Sequence, residues 1–188
     1  RHERLLVICA DPLDAVRLGQ EIPWFSPELG VRSLPDWETL PYDVLSPQED
    51  IVSERLETLY RMTSGTKGLD VVIASAVTAA QRMAPVAYVG ANTFFFRPGD
   101  TLSVEGLRSN LAAAGYAGVK QVLAAGEFAV RGSIIDVFPM GSDRPFRLDL
   151  FDDEIESIRW FDVETQRSME AVNEIRLLPG HELSLIHI

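Results

Sequence analysis

One cysteine, three histidines and no long apolar run mark this 188-residue sequence. A lone Cys9 excludes an internal disulfide, and its place in Leu5-Leu6-Val7-Ile8-Cys9-Ala10 predicts a buried, inert strand thiol. His2, His181 and His187 lie near the two ends, so neither a Ser-His-Asp triad nor a Cys/His metal site has a central histidine to build on. The longest apolar stretches, Leu5 to Ala10 and Val71 to Ala76, fall far short of the roughly 20 residues that span a bilayer. No membrane anchor is expected, and without an opening signal segment the expected location is cytoplasmic. Basic residues are scarce: 17 Lys and Arg against 28 Asp and Glu give a formal charge of −11, too acidic for a general phosphate-binding surface. With 13 Gly and 11 Pro, and 46% hydrophobic residues, low complexity and disorder are excluded.

A phosphate loop is missing as well. Gly65-Thr66-Lys67-Gly68 lacks the G-x-x-x-x-G-K-[ST] spacing and precedes a strand, whereas a phosphate loop follows a strand and opens a helix. Asp152-Asp153-Glu154, with Glu156 beyond, lacks the ligand spacing of a calcium loop and reads as a solvated hairpin tip. These absences predict a non-catalytic chain with neither metal nor cofactor of its own.

What is present divides in two. Arg4 to Ala10 reads as a buried strand, and Asp11-Pro12 starts a helix to about Phe25. Val31 to Leu34 is extended, and a Pro-bounded loop carries Trp37 and Tyr42. Those aromatics either stack on a nucleic-acid base or pin the loop to a helix, the second being commoner. Ser46-Pro47-Gln48-Glu49 then caps a helix to about Thr63, and Asp70 to Ser75 is an apolar run suited to a strand covered on both faces. This alternation predicts a parallel α/β sheet over residues 1–91. Beyond Asn92 the pattern changes to one helix, Ser103 to Ala114, and short strands at 119–123, 127–131, 133–138, 146–151, 155–161 and 174–178. Antiparallel hairpins cornered at Met140-Gly141-Ser142-Asp143 and Asp152-Asp153-Glu154 predict an α+β domain over residues 92–182.

Strand alternation picks out one surface. In Phe146-Arg147-Leu148-Asp149-Leu150-Phe151, Phe146, Leu148 and Leu150 point one way and Arg147, Asp149 and Phe151 the other. In Glu127-Phe128-Ala129-Val130-Arg131 the same rule turns Glu127, Ala129 and Arg131 outward. Arginine beside an exposed aromatic is the composition of an interface anchor. Pattern alone leaves a second reading open, in which Phe151 covers the sheet edge and both arginines pair with Asp149 or Glu127.

A family resemblance rests on Asp36-Trp37-Glu38-Thr39-Leu40-Pro41-Tyr42-Asp43 with Ser46-Pro47, and on three later strings. These are Gly126-Glu127-Phe128-Ala129-Val130-Arg131-Gly132, Phe138-Pro139-Met140-Gly141-Ser142 and Phe151-Asp152-Asp153-Glu154-Ile155. Together they resemble the bacterial transcription-repair coupling factors, the Mfd family, over nearly all of residues 4–182. The resemblance implies a degenerate helicase-like α/β domain, truncated at its N-terminus, followed by the inserted UvrA-binding domain that this family shares with the excision-repair protein UvrB. It assigns UvrA binding to Arg131, Arg147 and Phe151, with Glu127, Asp149 and Lys120 as candidate rim. It also implies that the parent's C-terminal domain covers this face at rest. RNA polymerase, double-stranded DNA, ATP and Mg²⁺ are then handled by an ATP-driven motor and other domains lying downstream, outside this chain.

A UvrB-type helicase-like subunit, its phosphate loop upstream of Arg1, is the alternative implied by the same motifs. Two departures stand out. The tyrosine-rich hairpin of UvrB is replaced by a short Pro35 to Asp50 loop, and Ala117 stands where some relatives carry a basic residue, a loss that Lys120 either offsets or leaves unfilled. The start at Arg1 without Met, and a tail at 183–188 that resembles translated adapter sequence, add the expectation of a fragment whose first sheet has an uncovered edge.

Overall fold

The computed structural model describes residues 4–37, 48–65 and 67–182. The chain divides into two units, one of residues up to Gly90 joined by Glu182, the other Ala91–His181.

The first unit is a parallel three-stranded sheet in the order β1-β3-β2, built from β1 (Leu5–Cys9), β2 (Val31–Leu34) and β3 (Val71–Ser75). Helix α1 (Pro12–Phe25) joins β1 to β2 and begins where the Asp11 carboxylate accepts from the Leu13 amide at 2.7 Å. Helix α2 (Glu49–Thr63) precedes β3, and the short α3 (Ala76–Ala80) follows it, capped by Ser75. Because β3 is central, its alternate side chains enter two cores. Val71 and Ile73 join Cys9 and, from α1, Ala15, Leu18 and Ile22, while Val72 and Ala74 join Leu34, Leu69 and, from α2, Leu59 and Met62. A strand covered on both faces has to be apolar throughout, and all of β3 is buried. The turn into β2 is fixed by close backbone approach: Gly30 accepts from the Asp70 amide at 2.8 Å, and a Cβ on Gly30 would sit 1.9 Å from the Gly68 carbonyl oxygen.

One sequence expectation changes here. The strand β1 is not buried throughout: Cys9 is, but Leu5, Leu6 and Ile8 are exposed because β1 is an edge with β3 on one side only. Trp37 follows the commoner of its two readings and packs on a helix, the Arg55 guanidinium of α2 lying 4.4 Å from its ring centroid. That same Arg55 is wholly buried and pairs with buried Glu182 at 2.8 and 3.1 Å while donating to the Pro35 carbonyl. Tyr42, most of the 35–50 loop, the Ser46 cap and the tail at 183–188 lie outside the described residues.

Helix α4 (Val86–Ala91) leads to the second unit. There β4 (Phe94–Phe96) pairs with β11 (Ile175–Leu177) in a small antiparallel ribbon, and α5 (Val104–Ala113), capped by Ser103, buries Leu107 and Leu111. The main sheet has six strands in the order β10-β9-β8-β7-β6-β5. Its members are β5 (Ala117–Gly118), β6 (Glu127–Arg131), β7 (Ile134–Val137), β8 (Phe146–Phe151), β9 (Glu154–Phe161) and β10 (Ser168–Ala171). Neighbours pair antiparallel except β5 with β6, which run parallel. The β8–β9 turn places Asp152 at φ 53, the left-handed geometry a two-residue hairpin demands and Asp tolerates. One face holds Phe128, Ile135, Val137, Leu148, Leu150, Ile155 and Ile158, all buried.

Residues 119–123, expected as a strand, form a loop. The Glu127 carboxylate accepts from the Leu123 and Ala124 amides at 2.7 and 3.0 Å, which satisfies those donors locally, and Val122 drops into a cluster with Ala129 and Phe161. That loop also explains why Ala129, expected to face outward, is buried. Tyr116 crosses the unit, its hydroxyl donating to the Leu178 carbonyl at 2.7 Å and accepting from the Met140 amide at 3.1 Å.

Candidate functional site

Register decides which side chains meet on the second face of the six-stranded sheet. Asp136 on β7 stands directly opposite Ala129 on β6 and Arg147 on β8, and Arg147 opposite Arg159 on β9. Residues paired in this way share a face. Asp136 is therefore the acidic member of a row otherwise made of alanine and arginine, and its side chain is only 1% exposed.

Both expected arginines converge on that carboxylate. Arg147 donates from Nε to Oδ1 at 2.7 Å and from Nη2 to Oδ2 at 2.9 Å, a two-pronged contact that fixes the guanidinium plane. Its Nη1 donates to the Gln166 carbonyl and the Ser168 hydroxyl, both at 3.2 Å, and its Cζ sits 4.9 Å from the centre of the Phe161 ring. These bonds leave the Arg147 side chain 13% exposed. The Asp136 hydrogen bond chiefly, with the charges of Asp136 and Asp149, holds its pKa above the ordinary arginine range against the opposing effect of burial. Arg131 reaches Asp136 Oδ2 through Nη2 alone and stays 47% exposed.

The remaining expected residues are placed as follows. Phe151 ends β8 on the same face as Arg147, 71% exposed, about 13 Å farther along the strand at ~3.3 Å per residue. Asp149 lies between them and accepts from the Ser157 hydroxyl at 3.0 Å. Glu127 is committed to the Leu123 and Ala124 amides, and Lys120 is exposed in the loop that Val122 anchors. The pairing of the arginines with Asp149 or Glu127, one reading of the sequence, is thus replaced by pairing with Asp136. A charged residue inside the apolar string Ile134-Ile135-Asp136-Val137 was the signal for it, because a buried carboxylate needs partners.

The composition of this face is that of an interface anchor. It combines an exposed aromatic, a half-exposed guanidinium and a supporting buried ion pair. Among the described residues no group of three or more His, Cys, Asp or Glu is arranged to hold a metal ion, and no helix is long and apolar enough to cross a membrane.

The family model of the UvrB interaction domain matches residues 94–183, which span this sheet. Several related chains bear one name. The transcription-repair-coupling factor of Haemophilus influenzae is 47% identical over 177 residues, covering 94% of this chain and 15% of the relative. That of Escherichia coli K12 is 46% identical over 183 residues (97% and 16%), and that of Bacillus subtilis 32% over 182 (97% and 15%). The chain belongs to the transcription-repair coupling factor family and spans about a sixth of the length of these relatives.

Proposed function

We propose that this chain is the recruitment module of a transcription-repair coupling factor, and that its second unit binds UvrA through the face carrying Arg131, Arg147 and Phe151. The observation that carries the reading is the exposure of Phe151 on the same sheet face as the Asp136-linked arginines, within a region matched by the UvrB interaction domain. Covering that ring on association would remove apolar surface from water. The role is non-catalytic. The first unit corresponds in this reading to a degenerate helicase-like domain. ATP, Mg²⁺, double-stranded DNA and RNA polymerase are engaged by parts of the parent outside this chain, whose motor lies downstream. The parent's C-terminal domain covers the Phe151 face until UvrA competes for it.

Calorimetry of the 188-residue chain against UvrA tests the reading. Saturable binding is expected, and no binding at concentrations up to about 100 μM, where even weak specific pairs register, contradicts it.

A further inference from the structure

The two arginines are not equivalent. Arg147 spends Nε, Nη1 and Nη2 on four contacts with Asp136, Gln166 and Ser168 and is almost enclosed, whereas Arg131 makes one hydrogen bond, through Nη2, and keeps Nε and Nη1 free on an exposed side chain. A guanidinium with four of its five N–H donors engaged has little left to offer a partner, while one tethered at a single nitrogen is both oriented and available. Tethering matters because an arginine carries large rotamer entropy, and holding it in the binding geometry beforehand removes that loss from association.

We propose that Arg131 is the cation that meets the partner, that the group it takes is a carboxylate, and that Asp136 and Arg147 are positioning residues acting through it. Arg147 neutralises and orients the buried Asp136 carboxylate, and Asp136 in turn holds Arg131 by one Nη2 contact. The unused Nε and Nη1 donors of Arg131 point away from each other, and either can donate a charge-assisted hydrogen bond to an acidic side chain. The inference rests on the UvrA reading above.

A double-mutant cycle tests it, using the 188-residue chain and UvrA with thermal unfolding as the folding control. Arg147→Lys keeps the charge and loses the two-pronged contact. It is expected to weaken binding about tenfold in the native chain and by less than about twofold in an Arg131→Gln background, since residues acting through one another are not additive. Asp136→Asn is expected to behave alike.

A similar loss from Arg147→Lys in both backgrounds means that Arg147 contacts the partner itself and overturns the proposal, as does undiminished binding by folded Arg147→Lys. Where Arg131→Gln leaves no binding to compare, the NMR signal of the Arg131 Nε–H in the free chain decides. Arg147→Lys shifts that signal if Arg147 positions Arg131, and an unchanged signal overturns the proposal. Failure of the native chain to bind UvrA overturns the partner reading and this inference with it, whereas native binding unaffected by these substitutions overturns this inference alone.

Discussion

Asp136 and Arg147 face each other across β7 and β8, joined by two hydrogen bonds of 2.7 and 2.9 Å, and that pairing turns a sheet face into an organised surface. A buried carboxylate is costly unless its lone pairs are met, and here two guanidiniums meet them. Register places Arg131 and Arg147 on the face where Phe151 emerges.

Tyr116 should be a sensitive polar group of the second unit. Tyr116→Phe removes both hydroxyl bonds and leaves the Leu178 carbonyl and Met140 amide unmet, at a cost of about 1–3 kcal/mol by urea unfolding. Burial pushes the Tyr116 phenol well above its ordinary pKa, an effect the Met140 amide bond only partly offsets. The folded state therefore holds this proton more tightly than the unfolded chain. Its contribution is complete below about pH 10, the unfolded value, and falls as pH rises beyond it. A Tyr116→Phe chain should lack that part of the alkaline loss, and identical alkaline profiles would argue against it.

The buried Arg55–Glu182 pair predicts a different signature. Glu182→Gln leaves the enclosed Arg55 charge without its carboxylate and should destabilise the first unit by about 3–5 kcal/mol in chemical denaturation. Removing both charges with Arg55→Met and Glu182→Leu should recover most of that loss, because neither charge is then stranded.

Gly30→Ala probes the backbone approach at the start of β2. The added Cβ would lie 1.9 Å from the Gly68 carbonyl oxygen, a backbone atom that has no rotamer through which to yield. A loss of about 1–3 kcal/mol is expected, the usual scale of overpacking, and an unchanged thermal midpoint would mean the turn gives way freely.

Much of this was legible in the sequence because alternation is local. The strand 146–151 and the outward set Arg147, Asp149 and Phe151 follow from period two alone, while the parallel sheet follows from the alternation of strands with helices and the covered β3 from its unbroken apolar run. Register is not local, and that is where the reading failed. Which acid stands opposite Arg147 depends on how β7 lies against β8, so Asp136 was passed over for the nearer Asp149 and Glu127. Residues 119–123 misled for a related reason. Their apolar content suited a strand, but the Glu127 carboxylate claimed the backbone donors and Val122 was needed as a plug over Ala129 and Phe161. Short strands such as β4 and β10 carried too little pattern to be seen at all.

The most direct test compares the native chain with Phe151→Ala in calorimetric titration against UvrA, alongside thermal unfolding of both. Phe151 is largely solvent-facing, so its truncation should change folding stability by no more than about 0.5 kcal/mol while costing about 1–4 kcal/mol of binding as a central anchor. Lost binding with an unchanged unfolding midpoint is the predicted result, and equal binding by the two chains, or a Phe151→Ala chain that unfolds, would contradict the assignment of this face to UvrA.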